Sequence, residues 1–273
     1  MGNSAFVLAG ILGSGAEFLI RTYLSYVGGL SDVGMYNAAY MMTMTYAGMV
    51  FSAMETDYFP RLSGIRDVGD QLNRTVSRQI EVSLLLIAPM LVGLLVGLPI
   101  LLPLLYSNAF LPMIHMMRIT VLAMFFRAVS LPIEYIALAK GDSKSYLALE
   151  CFYDVLMVLL VIFGYHAAQL TGTGIALLGA SALNTVTVIL YMHHKYSLHL
   201  SKEVYAYFCL FFPFGGGVIL LSYLTTGWLY WVLGGICAFI SFVLSILLLH
   251  SKSHLWNRLK ERVMLKWNIF LQH

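Results

Sequence analysis

Three arginines interrupt long apolar stretches of this sequence, at Arg21, Arg118 and Arg127. An arginine near the centre of a membrane helix costs about 2.5 to 3.5 kcal/mol on insertion scales, so each is expected to face a partner or a wet cavity. Arg118 lies about half a turn around its helix from Arg127. Its position in the sequence is equally compatible with a side chain that reaches outward to the membrane surface. Buried arginines of this kind are candidate functional residues.

Two of these arginines have a carboxylate on the same helix face. Glu17 precedes Arg21 by four residues, so an ion pair within one helix is expected. Glu134 follows Arg127 by seven residues and returns to the same face, but about 10 Å further along the axis. Pro132 lies between them and predicts a kink that would help the two side chains to meet.

A second acidic pair has no arginine of its own. Glu150 and Asp154 are four residues apart, and two carboxylates on one apolar face repel each other. One of them can bind a proton, or the pair can meet a basic residue of another helix. Coupling to protons or sodium ions is therefore a functional hypothesis for Glu150 and Asp154, and also for Glu17 and Glu134. A structural salt bridge fits the pattern equally well.

The composition shows which elements must position these charges. The chain has 273 residues, of which 60% are hydrophobic and only 11% charged, whereas soluble domains are about 25% charged. The long apolar runs cross a bilayer as helices, which predicts an all-α integral membrane protein.

The basic residues are dispersed among apolar runs, so no nucleic-acid partner is expected. No cofactor or metal site is predicted, because Cys151, Cys209 and Cys237 resemble small core residues without metal-ligand spacing.

About eight transmembrane helices are predicted. Their approximate bounds are 5–27, 34–58, 82–105, 112–139, 145–166, 171–193, 205–225 and 228–250. Thirteen of the 16 Lys and Arg residues fall in alternate connectors and in the tail. The positive-inside rule then predicts that both termini are cytoplasmic. Residues 61–80 and the basic tail have apolar residues at helical spacing, so both are expected to lie at the headgroup level and contact anionic membrane lipid.

Several short motifs resemble the polysaccharide exporters and O-antigen flippases of the multidrug/oligosaccharidyl-lipid/polysaccharide superfamily. They are residues 33–40 (VGMYNAAY), 60–63 (PRLS), 105–106 (LY) with Phe110, and 172–176 (GTGIA). The resemblance implies a six-helix lobe at residues 1–193, two additional helices at 194–250 and an amphipathic basic tail at 251–273. Family members have two such lobes, so the chain resembles the second lobe with the appended helix pair and lacks the first.

The resemblance also implies a function. Such proteins flip a polyprenyl-pyrophosphate-linked oligosaccharide across the bacterial inner membrane for O-antigen, capsular or exopolysaccharide synthesis. Arginine binds phosphate through charge-assisted, often bidentate contacts, so Arg21 and Arg127, and less directly Arg118, are the expected phosphate-binding residues. The cavity would be completed by a second lobe or a second copy of the chain.

Other functions fit part of the pattern. A drug or cation antiporter of the same superfamily would use carboxylates in place of arginines in its cavity. A non-transporting membrane subunit or remnant would tolerate changes of Arg21 and Arg127. A membrane-embedded glycan polymerase or ligase fits least well, because the predicted outer connectors are too short to carry a catalytic domain. We therefore do not expect an enzyme.

Overall fold

The computed structural model describes residues 2–65, 68–225 and 227–251, and the regular secondary structure in these ranges is entirely helical. The helices are α1 (Gly2–Val27), α2 (Gly29–Ser63), α3 (Asp70–Leu105), α4 (Ile114–Ala139), α5 (Ser143–Tyr196), α6 (Lys202–Leu224) and α7 (Trp228–Ser251), with a short 3₁₀ turn at Asn108–Met113 before α4. All except α2 are long and apolar enough to cross a membrane. The prediction of an all-α membrane protein is confirmed.

The long helix α5 is a hairpin of two arms. Ala168 and Gln169 leave helical geometry, and Gln169 has a φ of 49°. The backbones of Gly164 and Gly172 touch across this break, because a Cβ on either glycine would collide with the carbonyl oxygen of the other. Glycine allows this approach since it has no side chain. The arms, at 143–167 and 170–196, correspond to the fifth and sixth predicted spans.

The end of the bundle that carries the basic connectors is held together by side-chain contacts between helices. Lys140 after α4 donates to the carbonyl of Ile65 at 2.6 Å. Asp142 caps α5 by accepting from the Ser145 amide at 3.2 Å, and Lys195 at the far end of the second arm pairs with the same carboxylate. These basic residues were predicted to lie in alternate connectors, and they lie together at one end of the bundle. We call this end of the bundle the basic end.

The predicted interfacial helix at 61–80 is wrong as a separate element. Its first residues end α2, and from Asp70 it forms the beginning of α3. Its apolar residues Leu72, Val76 and Ile80 are fully buried within the protein. Helices α2, α4, α6 and α7 pack around α3, and Ser201 before α6 donates to Glu81 of α3 at 2.9 Å. The sequence pattern suggested that these apolar residues contact lipid, but in the structure they pack against other parts of the protein.

Helix α3 lies at the centre of one half of the bundle and packs against α2, α4, α6 and α7. Both additional helices of the predicted 194–250 segment rest on it, and Tyr230 of α7 donates to the α3 carbonyl of Leu95 at 3.2 Å. In the other half, α1 and α4 pack against α5. The predicted division into a lobe and a helix pair stays a prediction, and the 251–273 tail lies outside the described residues after Ser251.

The outer surface of the bundle is apolar, as a lipid-facing surface must be. Phe18, Phe163 and Phe239, on three different helices, are each about two-thirds exposed. Two cysteines also lie on this surface, since Cys151 and Cys209 are exposed. The prediction that they are core residues is wrong, because apolar residues of a membrane protein can face lipid as well as the interior.

Candidate functional site

The interior of the bundle contains a charged cluster centred on α4. Arg127 Nη1 lies 3.6 Å from Glu134 Oε2, so these two residues pair as their spacing and Pro132 suggested. The Glu134 side chain is only 4% exposed. Its other oxygen accepts a hydrogen bond from the Asn184 amide of the second α5 arm at 2.8 Å. The pair therefore connects α4 to α5 deep inside the apolar bundle.

Arg127 has a second partner in α5. Its guanidinium lies over the ring of Tyr153, 5.3 Å from the ring centre, which is within the range of a cation–π interaction. Tyr153 in turn shares a side-chain hydrogen bond with Ser181 of the opposite arm. The arginine is thus held on both sides, by a carboxylate and by an aromatic face.

The acidic pair of the first α5 arm lies beside this arginine. Both Glu150 and Asp154 are within electrostatic range of Arg127. Glu150 shares a side-chain hydrogen bond with Tyr146. Asp154 is 8% exposed, and its Oδ2 atom is buried without a hydrogen-bond partner. The carboxylate pair thus lies within electrostatic range of a basic residue of another helix, and both alternatives for its role stay predictions.

Helix α1 contributes the remaining ion pair. Arg21 donates to Glu17 at 2.6 Å, with side-chain exposures of 38% and 29% respectively. Gly13, one turn before Glu17, lies against Asp154, because a Cβ there would be 3.8 Å from the Asp154 Oδ1 atom. Glu17 is also within electrostatic range of Asp154. The α1 ion pair therefore borders the α4–α5 cluster.

The cluster is rich in buried polar atoms without partners. Among the described residues, these atoms include Arg21 Nε, Tyr36 Oη, Asp154 Oδ2 and Asn184 Oδ1. Buried polar atoms are normally paired, and unpaired ones cost free energy. The six charged side chains are four carboxylates and two guanidiniums, so the fully ionised cluster has an excess of negative charge. Its arrangement is suited to bind a proton, a cation or a polar group.

Arg118 does not join this cluster. It is only 7% exposed, so the outward-reaching alternative for its side chain is wrong. It lies instead under Tyr230 of α7, with its guanidinium 6.0 Å from the ring centre. Tyr230 is held in this position because α7 packs along α3, where the Tyr230 hydroxyl donates to the Leu95 carbonyl. The structure thus brings Arg21 and Arg127 to one region of the bundle and leaves Arg118 on the opposite face of α4.

Several members of the cluster were not singled out in the sequence. Asn184 and Tyr153 are the direct partners of Glu134 and Arg127. One feature of the sequence could have indicated that Asn184 faces the interior cluster. Ser181, Asn184 and Thr185 are polar residues at i, i+3 and i+4 in an otherwise apolar run, which is typical of a stripe facing a polar interior.

Comparisons with known proteins agree with this fold. A sequence model described as a polysaccharide biosynthesis protein family matches residues 5–115, while no curated protein matches the chain. The solved structure of a chain named "protein A" has 19% sequence identity and a TM-score of 0.55, over 89% of this chain. The matched region is 61% of that protein, so this chain spans less than two-thirds of its length. In its first 115 residues, this multi-pass membrane protein is similar to polysaccharide biosynthesis proteins.

Proposed function

We propose that this chain takes part in flipping a lipid-linked, phosphate-bearing oligosaccharide across the bacterial inner membrane during polysaccharide synthesis. The observation that carries the proposal is the buried charged cluster of α1, α4 and α5. It combines guanidiniums, which bind phosphate, with carboxylates that can exchange protons or cations. The similarity of residues 5–115 to polysaccharide biosynthesis proteins supports the substrate class. Transport, and not an enzymatic reaction, is the proposed activity.

The proposal assigns different roles to the two kinds of charge. Arg21 and Arg127 are the phosphate-binding residues, and Arg118 is a weaker candidate because Tyr230 covers it. Glu17, Glu134, Glu150 and Asp154 are the ion-coupling residues. Asp154 is the strongest of the four, since one of its oxygens is buried without a partner and is thus available for a proton or a cation.

The proposed site is completed by a second lobe or a second copy. The Glu17–Arg21 pair is about one-third exposed, although it lies on a helix with an otherwise apolar surface. Such a charged pair would be stabilised by a polar surface opposite to it. In the proposed orientation both termini are cytoplasmic, since the basic end would then face the cytoplasm.

A drug or cation antiporter is the second candidate. The excess of carboxylates favours it, as does the pairing of each arginine with a carboxylate at 2.6 Å and 3.6 Å. An organic cation would be attracted to this cluster without any change in its ion pairs. The two candidates differ in the sign of the charge that the substrate carries.

The deciding experiment measures flipping in vesicles that contain the purified chain, with its natural partner if one copurifies. The probe is a fluorescent short-chain polyprenyl-diphosphate sugar, and its arrival in the outer leaflet is followed with a membrane-impermeant quencher. We expect Arg127→Lys to reduce flipping at least tenfold, because the planar guanidinium is lost. Arg74→Gln is the control, since Arg74 is 71% exposed at the basic end. Efflux of ethidium without flipping of the lipid would support the antiporter instead.

A further inference from the structure

A separate polar pocket lies at the basic end, between the end of α2 and the beginning of α3. It is lined by Arg61, Ile65, Gln71, Thr75 and Arg78 and has a volume of about 270 Å³. None of these residues belongs to the charged cluster in the interior. The pocket is therefore a second candidate site.

Helical spacing explains why these residues meet. Gln71, Thr75 and Arg78 are at i, i+4 and i+7 of α3, so they form one stripe along that helix. Arg61 lies in the last turn of α2, and Ile65 follows two residues after that helix ends at Ser63. These two residues line the pocket opposite the α3 stripe, and the α3 residues on the inner side of the helix are buried.

The pocket is positively charged. The Nη2 atom of Arg61 forms an ion pair with the Asp57 carboxylate at 2.7 Å. Arg78 is exposed and has no ion-pair partner among residues 2–65, 68–225 and 227–251. Lys140 lies nearby, since its ammonium group donates to the carbonyl of Ile65 in the pocket wall. Among the described lining residues, Arg61 and Arg78 thus bring two positive charges to the pocket, and Asp57 pairs with the first of them.

The polar side chains that line the pocket can all donate hydrogen bonds. They are two guanidiniums, the Thr75 hydroxyl and the Gln71 amide, and none of the five lining residues is acidic. Such a donor set matches the oxygens of a phosphate group. The pocket also lies where α2 and α3 leave the apolar part of the bundle, which is the level of lipid headgroups.

We infer that this pocket binds the phosphate group of a lipid headgroup. Two lipids could supply it: an anionic phospholipid, or the diphosphate of a lipid-linked sugar that waits on the cytoplasmic side. Only the second source rests on the proposed flipping function. A phospholipid in the pocket would still bind if the chain transported something else.

The test uses the full chain in dodecyl maltoside, which contains no phosphate, and measures lipid binding by native mass spectrometry. The probe is dioctanoyl phosphatidylglycerol, and dioctanoylglycerol is the matched lipid without phosphate. We expect Arg78→Gln to weaken phosphatidylglycerol binding about tenfold, the usual effect of losing one charge-assisted contact. Arg74→Gln is the matched control, because Arg74 lies one turn away on the same helix, pairs with Asp70 and does not line the pocket.

A second variant and a competitor complete the design. Arg61→Gln is expected to weaken binding to a similar extent, and its melting temperature would report any loss of folding. Inorganic pyrophosphate that displaces phosphatidylglycerol would identify the site as one for free phosphate groups, including a substrate diphosphate. Failure to displace it would identify a phospholipid headgroup site. Equal binding by Arg78→Gln and Arg74→Gln, or equal binding of both lipids, would overturn the inference.

Discussion

Replacing Arg127 with glutamine tests how the central ion pair contributes to stability and to transport. The change leaves the Glu134 carboxylate with one hydrogen bond, from Asn184 at 2.8 Å, in a site where its side chain is 4% exposed. Removing one partner of a buried ion pair costs about 3 to 5 kcal/mol. The 3.6 Å separation is longer than a hydrogen bond, which favours the lower limit of about 3 kcal/mol.

This free energy corresponds to a measurable shift in melting temperature. At about 2 to 4 °C per kcal/mol for a chain near this size, Arg127→Gln should lower the melting temperature by roughly 6 to 12 °C. Scanning fluorimetry of the purified protein in detergent would measure it. Lys144→Gln is the control, since Lys144 is an exposed cation at the start of α5, and we expect it to change the melting temperature by less than about 2 °C.

The double variant Arg127→Gln, Glu134→Gln separates stability from function. It removes both charges and keeps groups that can hydrogen-bond to Asn184, so most of the lost stability should return. Flipping should nevertheless remain impaired, because the guanidinium that we propose binds phosphate is absent. A double variant that is as unstable as Arg127→Gln would refute the ion-pair argument. A double variant that is stable and fully active would exclude Arg127 from the transport mechanism.

Three further predictions concern the packing of the helices. Gly172→Val should prevent the α5 hairpin from closing, because its side chain would collide with the Gly164 carbonyl. A strongly reduced yield of folded protein in detergent would check this. Gly28→Ala should displace the Tyr165 hydroxyl, which lies where the new Cβ would be, and lower the melting temperature; an unchanged value would contradict it. Asp142→Ala should cost about 1 kcal/mol through the lost helix cap, measured as a lower midpoint of denaturation. Burial alone would raise the pKa of Asp142, but hydrogen bonds from Lys195, Ser145 and Tyr196 hold it well below its usual range. The folded-state pKa is thus depressed, so the stabilisation from Asp142 is present above about pH 4 and is lost as the pH falls further; the alanine variant should lack this part of the acid sensitivity.

Local patterns in the sequence were sufficient to predict most of the helices. Division of α5 at Ala168 and Gln169 gives two of the eight predicted spans. The predicted span at 34–58 lies in α2, which is not among the helices of the described residues that are apolar enough to cross a membrane. The Glu17–Arg21 ion pair also follows from spacing alone, and the Arg127–Glu134 pair follows from spacing together with Pro132. These features depend on residues that are near each other in the chain, which explains why they could be predicted.

Contacts between distant residues could not be predicted in this way. Asn184 lies 50 residues from Glu134, and nothing in the local pattern of either residue specifies the other. The same reason explains Arg118, whose burial depends on a tyrosine from α7. The burial of Leu72 and Ile80 also depends on the helices that pack around α3, and an amphipathic pattern does not distinguish lipid from another part of the protein.

The charge of the interior cluster restricts how the proposed flipping could occur. Glu17, Glu134, Glu150 and Asp154 outnumber the two arginines, so a fully ionised cluster would repel a diphosphate. The substrate could enter only if protons or cations bound to the carboxylates and freed the arginines from their ion pairs. Asp154, with its unpaired buried oxygen, offers a first binding point for such an ion. If the chain flips an anionic lipid, cation binding and substrate binding must therefore favour each other, because each neutralises charge that would otherwise oppose the other.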